Sequence, residues 1–180
     1  GLPALQSVAG GGLHTLALTR TGTVWAWGEN ALGQVGDGST ESRLRPVQLH
    51  GLPAMRLLAS RTRHNLALDI NGKVWSWGAG STGELGTGAL HSSAQPQQIA
   101  ALQDVRSISA GDGFSLAVDA QGALWAWGAN LNGQLGSTVA TDQSLPGLLP
   151  NLAGVLGLAA GYRHTLALHA DGSVSSWGYN

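Results

Sequence analysis

An all-β fold of repeated four-stranded units is what this sequence predicts, and three observations carry it. Shifted by 50 residues the chain matches itself without a gap: Trp27, Trp77, Trp127 and Trp177 coincide, followed by Gly28, Gly78, Gly128 and Gly178. The same frame aligns Leu16, Leu66, Leu116 and Leu166, then Ala17, Ala67, Ala117 and Ala167, with Gly22, Gly72, Gly122 and Gly172 at a turn. No stretch combines sustained helical periodicity with end caps. A period of this length marks a solenoid, propeller or array, in which one unit cannot bury its own apolar face.

The elements follow in order within each repeat. A first strand is expected near Gln6–Ala9, recurring at Arg56–Ala59, Arg106–Ser109 and Leu156–Ala159. His14-Thr15-Leu16-Ala17-Leu18 alternates as a second strand does. Polar-Gly pairs, Thr21-Gly22, Asn71-Gly72, Gln121-Gly122 and Asp171-Gly172, supply the positive φ that a hairpin turn needs. Val24-Trp25-Ala26-Trp27-Gly28 is the third strand, with both tryptophans on one face because successive side chains alternate. A long connection containing Gly33-Gln34-Val35-Gly36 leads to a fourth strand, expected to begin at Pro46, Pro96 and Pro146, since proline suits an edge.

Four antiparallel strands per repeat, small or apolar on both faces, describe a propeller blade sandwiched between neighbours. The chain is then a single partial propeller over 1–180, with repeats at 1–50, 51–100, 101–150 and an incomplete 151–180. Fifteen strands make an arc of about four four-stranded blades, with one blade, taken to be the first, short of a strand. An open arc would expose two apolar blade faces, so the ring is expected to be completed by more chain or by self-association.

Composition narrows the partners. Charged residues are 11% and the formal net charge is −1, which leaves no electrostatic footprint for nucleic acid or an anionic membrane. No apolar run is long enough for a membrane helix. No cysteine is present, which removes thiol and disulfide chemistry. The sparse charge and single lysine lean towards a bacterial, exported protein.

The motifs themselves resemble a known family. Ala160-Gly161-Tyr162-Arg163-His164-Thr165-Leu166-Ala167-Leu168, Asp171-Gly172-Ser173-Val174-Ser175-Ser176-Trp177-Gly178 and Asn130-Leu131-Asn132-Gly133-Gln134-Leu135-Gly136 resemble the repeats of the regulator-of-chromosome-condensation family. The resemblance covers essentially the whole chain and implies a β-propeller, usually a seven-bladed ring. It implies several functions: a guanine-nucleotide exchange factor for a small nuclear GTPase, protein-binding modules of ubiquitin ligases, and secreted bacterial inhibitors. Fold does not choose among them.

Sites that suggest chemistry read as structure instead. Gly78-Ala79-Gly80-Ser81-Thr82-Gly83 fits a dinucleotide-binding pattern, but no helix follows and the equivalent segments differ. His14, His64 and His164 align with Phe114, which can replace a packed histidine but not a metal ligand or general base. No metal, cofactor or catalytic residue is assigned. Asp69, Asp119 and Asp171 sit at tight turns.

Strand parity locates the candidate binding surface. In an up-and-down blade the first-to-second and third-to-fourth connections share one rim, which carries the longest and most variable loops. Arg61, Arg63, Asp112, Tyr162 and Arg163 break the repeat there with residue types favoured at interface anchors. The leading expectation is a non-catalytic propeller that binds a folded protein through this rim. The alternatives are nucleotide exchange on a small GTPase, which would place the protein in nucleus or cytoplasm, and carbohydrate binding, for which the rim offers Tyr162 and Tyr179 but no recurring aromatic.

Overall fold

The computed structural model describes residues 1–137, 140–150, 152 and 154–179. The first sheet is β1 (Leu5–Gly10), β2 (His14–Thr19), β3 (Val24–Gly28) and β4 (Arg43–Gln48). The second is β5 (Met55–Arg61), β6 (His64–Asp69), β7 (Val74–Gly78) and β8 (Ser93–Gln98). The third is β9 (Val105–Ala110), β10 (Phe114–Asp119), β11 (Leu124–Gly128) and β12 (Gln143–Leu148), and the fourth is β13 (Val155–Ala160), β14 (His164–His169) and β15 (Val174–Gly178). Each sheet is an antiparallel meander in chain order. The three-stranded blade is therefore the last and not the first, because β4 pairs with β3 of its own repeat.

The fourth strands also begin earlier than expected. Pro46 lies inside β4, not at its start, where the ladder slips between Ala26↔Val47 and Gly28↔Arg43. Pro96 and Pro146 occupy the same irregularity in β8 and β12. An outer strand with a bulge has no donor to demand at that point, so proline is tolerated within it.

The blades stack through one repeated interface. Leu16, Leu18, Val24 and Ala26 of the first blade pack against Met55, Ala67 and Trp77 of the second. Leu66, Leu68 and Val74 meet Val105, Ala117 and Trp127 in the same way, and Leu116, Val118 and Leu124 meet Val155, Ala167 and Trp177. Alanine at 17, 67, 117 and 167 is wholly buried in all four blades, where a larger side chain would hold the sheets apart. The first strands of successive blades, β1, β5, β9 and β13, touch one another and form the inner edge of the arc.

A polar lock accompanies the apolar packing. The indole N–H of Trp77 donates to the Gln34 carbonyl at 3.1 Å, Trp127 to Glu84 at 2.9 Å and Trp177 to Gln134 at 2.9 Å. Each carbonyl takes a second bond from the second strand of the following blade: Asn65 Nδ2 at 2.8 Å, Ser115 Oγ at 2.9 Å and Thr165 Oγ1 at 2.8 Å. The Gly-Gln-Val-Gly segment is thus the tenon that one blade pushes into the next. Gly36 explains its glycine: φ is +85°, and a Cβ would lie 2.6 Å from the Trp77 indole nitrogen.

Candidate functional site

The rim geometry starts from the Trp-Gly pair that closes every third strand. Gly28, Gly78, Gly128 and Gly178 have φ of +113°, +100°, +99° and +108°. A Cβ at any of them would fall 2.4–2.5 Å from the carbonyl oxygen of Leu13, Arg63, Gly113 or Arg163. That same carbonyl accepts the N–H that follows the glycine, from Glu29, Ala79, Ala129 and Tyr179, at 2.8–2.9 Å. The glycine therefore pins the tip of the first-to-second connection to the root of the third-to-fourth one. Both sets of connections emerge at one end of the arc, and the tight turns ending in Gly22, Gly72, Gly122 and Gly172 lie at the other.

Neighbouring tips are also tied together. Gly12 N donates to the Thr62 carbonyl at 2.8 Å and Asp112 N to the Tyr162 carbonyl at 3.1 Å. Thr62 Oγ1 donates to Asp112 Oδ1 at 2.8 Å. Arg163 lies over the Tyr162 ring, 5.4 Å from its centroid, a cation–π contact that leaves both side chains exposed.

A cavity of about 470 Å³ opens among the rims of the second, third and fourth blades, with Leu32 of the first at its edge, and Arg63, Asp112, Tyr162 and Arg163 line it. Arg61 does not. It is exposed at the end of β5, opposite His64 in the ladder, where the first, third and fourth repeats have Gly11, Gly111 and Gly161. Of the outer rim segments, Asp37–Arg45 is braced by Asn30, whose Nδ2 donates to the Ser39 and Glu41 carbonyls at 2.9 and 3.0 Å. The corresponding Ser137–Leu145 contains Thr138 and Val139, which lie outside the described residues.

Two of the three aligned histidines are built into blade contacts. His14 Nε2 donates to Asn65 Oδ1 at 2.7 Å; Asn65 orients that oxygen by donating from its own amide to Gln34. His64 Nε2 meets Ser115 Oγ at 2.9 Å, and Ser115 donates onward to the Glu84 carbonyl, so the histidine is the donor. Phe114 is wholly buried in the equivalent place, whereas His164 is exposed. Burial lowers the His64 pKa from 6.5 to about 4, with the nearby His14 adding to the effect, and burial likewise lowers His14.

This sets a pH dependence with a definite sign. The unfolded chain takes up a proton at His64 near pH 6.5 and the folded one only near pH 4. Stability is then full above pH 6.5 and falls as the pH drops towards 4, by about 3 kcal/mol at about 1.4 kcal/mol per unit. His64→Phe, which copies Phe114, is expected to stay within about 1 kcal/mol of the parent at pH 7 and to lose correspondingly less on acidification. Urea denaturation at pH 7 and pH 4.5 measures it; parallel losses in both proteins would contradict the assignment.

Side-chain spacing gives Glu84 no place at the site, and it marks Thr82, Gln34 and Gln134 only as members of loop motifs. A signal existed for the lock, since positions 15, 65, 115 and 165 are all small hydrogen-bonding residues inside an otherwise apolar strand. Its acceptor is a main-chain oxygen, and no side-chain pattern reports that.

Comparison with known proteins gives the same frame. The model of the "Regulator of chromosome condensation (RCC1) repeat" matches residues 21–68, 71–118 and 121–168, and a second RCC1 repeat model matches 6–34 and 105–134. The ultraviolet-B receptor UVR8 of Arabidopsis thaliana is 42% identical over 45 residues, 25% of this chain and 10% of that protein. The human E3 ubiquitin-protein ligase HERC2 is 48% identical over 44 residues, 24% of this chain and 1% of that one. Among solved structures, human WBSCR16 superposes with a TM-score of 0.89 at 23% identity, covering 98% of this chain and 48% of that one. Yeast RCC1 (Prp20), solved bound to Kap60, gives 0.87 at 28% identity, covering 99% and 44%. The chain thus spans less than half of each of these solved chains.

Proposed function

Since the chain belongs to the regulator of chromosome condensation (RCC1) repeat family, we propose that it is a binding propeller whose loop-rich rim takes a folded protein partner and performs no catalysis. The observation that carries this is the clustering of Arg63, Asp112, Tyr162 and Arg163, from three different blades, around one cavity of about 470 Å³ on that rim. Those residues break the repeat, so blade packing does not require them. Arg and Tyr are also the types that anchor interfaces, through planar charged hydrogen bonds and rigid amphipathic area. Two relatives support a protein partner: yeast RCC1 (Prp20) was solved with Kap60, and HERC2 is a protein ligase.

A partner recovered by affinity capture and identified by mass spectrometry would be titrated calorimetrically against single variants. Tyr162→Ala and Arg163→Ala are expected to weaken binding by about 1–3 kcal/mol each. Arg20→Ala, exposed at the opposite rim, should change it by less than about 0.5 kcal/mol. Loss confined to Arg20 would place the interface at the wrong end. A small GTPase as partner, with accelerated nucleotide release, would replace this reading by nucleotide exchange.

A further inference from the structure

The glutamate at the second blade's tenon stands out against its equivalents. Gln34 and Gln134 each accept the N–H two residues earlier, from Leu32 and Asn132, both at 2.9 Å. The neutral amide therefore suffices for the loop. At Glu84 the same bond is kept, with Thr82 N donating to Oε2 at 2.8 Å, and the single Thr82 hydroxyl proton lies within reach of Oε2 at 2.8 Å and of the Gly113 carbonyl at 3.0 Å. Glu84 as a residue is only 3% exposed, and it lines the rim cavity. Among the described residues its other oxygen, Oε1, takes no hydrogen bond, and the ion pairs are those of Arg43 with Asp37 and Glu41. The carboxylate thus meets water only through the cavity and has no cation beside it, while the loop bond it makes is one that glutamine supplies at the other two tenons.

We propose that Glu84 is the acceptor for a basic side chain, arginine or lysine, that the protein partner inserts into the rim cavity. The inference rests on the reading of that rim as the binding surface. Asp112, partly buried and lining the same cavity, has one carboxylate oxygen committed to Thr62 and, among the described residues, no hydrogen bond at the other. A guanidinium or ammonium entering the cavity would give Glu84 charge-assisted hydrogen bonds in a sheltered site, with Asp112 as a second acceptor on the same lining. Arg63 and Arg163 are exposed, so water and salt screen their repulsion of an entering cation far more than they weaken the buried attraction.

The test uses end-capped Gly-Arg-Gly and Gly-Lys-Gly as probes of the whole protein, with end-capped Gly-Glu-Gly as control, read by amide chemical shifts. Saturable shifts are expected at the Thr82 and Gly113 amides with the basic peptides and none with the acidic one. Glu84→Gln should fold normally, as Gln34 and Gln134 do at their positions, and weaken the basic peptides at least tenfold. Equal binding by Glu84→Gln, or no shift around the cavity, would overturn the proposal. With the identified partner the two readings separate. If Tyr162→Ala loses affinity while Glu84→Gln keeps it, the rim stands as the interface and the basic anchor falls. If neither variant loses affinity, the rim itself is wrong.

Discussion

Trp127→Ala is expected to destabilise the propeller by about 3–5 kcal/mol, measured by urea denaturation at pH 7. Trp127 is wholly buried, packed between the apolar face of the second blade and its own sheet. Truncation would leave a cavity the size of an indole in an interface where both walls are β-sheets, which cannot collapse inwards without breaking their ladders. It would also remove one of the two donors to the Glu84 carbonyl, leaving Ser115 alone. Trp127→Phe separates these effects, since it keeps most of the volume and loses the hydrogen bond, and should cost about 1–2 kcal/mol. Trp27→Ala, at a half-buried equivalent, should cost clearly less than Trp127→Ala. Equal losses at 27 and 127 would show that the blade interface is not what the tryptophan stabilises.

Gly128→Ala is expected to cost about 4 kcal/mol, although it adds one methyl group. At φ +99° an L-residue is strained whatever the space around it. The Cβ would in addition stand 2.4 Å from the Gly113 carbonyl oxygen and 2.7 Å from the Phe114 Cα. Both are backbone atoms, so no side chain can swing aside; the rim connection would have to move and release the Ala129 N–H that it holds at 2.8 Å. Gly147→Ala is the control. Its Cβ would find only the Ala126 carbonyl oxygen, at an ordinary 3.6 Å, and the change should be within about 0.5 kcal/mol of neutral. A Gly128→Ala protein as stable as the Gly147→Ala one would contradict the role given to the Trp-Gly pair. Because that pair sets the rim loops, a folded Gly128→Ala protein should also bind the rim partner more weakly.

Much of the fold was legible because a repeat states each constraint several times. Leu16, Ala17 and Trp27 recur at the same spacing for one physical reason, the blade interface, and the alternation of the strands followed from them. Two expectations failed where a local rule met a neighbouring strand. Proline at 46, 96 and 146 points by local rule to a strand start, but the ladder slip in β4, β8 and β12 removes the demand for a donor within the strand. Strand counting along the chain puts the short blade first, whereas Arg43–Gln48 completes the first sheet and the last has no fourth strand among the described residues. At the site, parity sufficed to put Arg63, Asp112, Tyr162 and Arg163 on one rim. It could not tell that Arg61 stays outside the cavity, because that depends on β5 running one residue further than β9 and β13 do.

The amino-acid sequence by itself determined the repeat, the four-stranded unit, the faces that pack and the end of the arc that varies, since all of these follow from the spacing of side chains along one strand. Only the tertiary structure decided which of the variable residues meet and what they enclose. Thr62 and Asp112 are one repeat apart and bond directly, while the Glu84 carboxylate reaches the same cavity from the outer connection of its blade. The lock between blades was equally hidden, because its acceptors are main-chain carbonyls, whose chemistry is the same at every residue. Stacking brings each of them under an indole and a small polar side chain of the next repeat, and that meeting is a property of the stack, not of any segment.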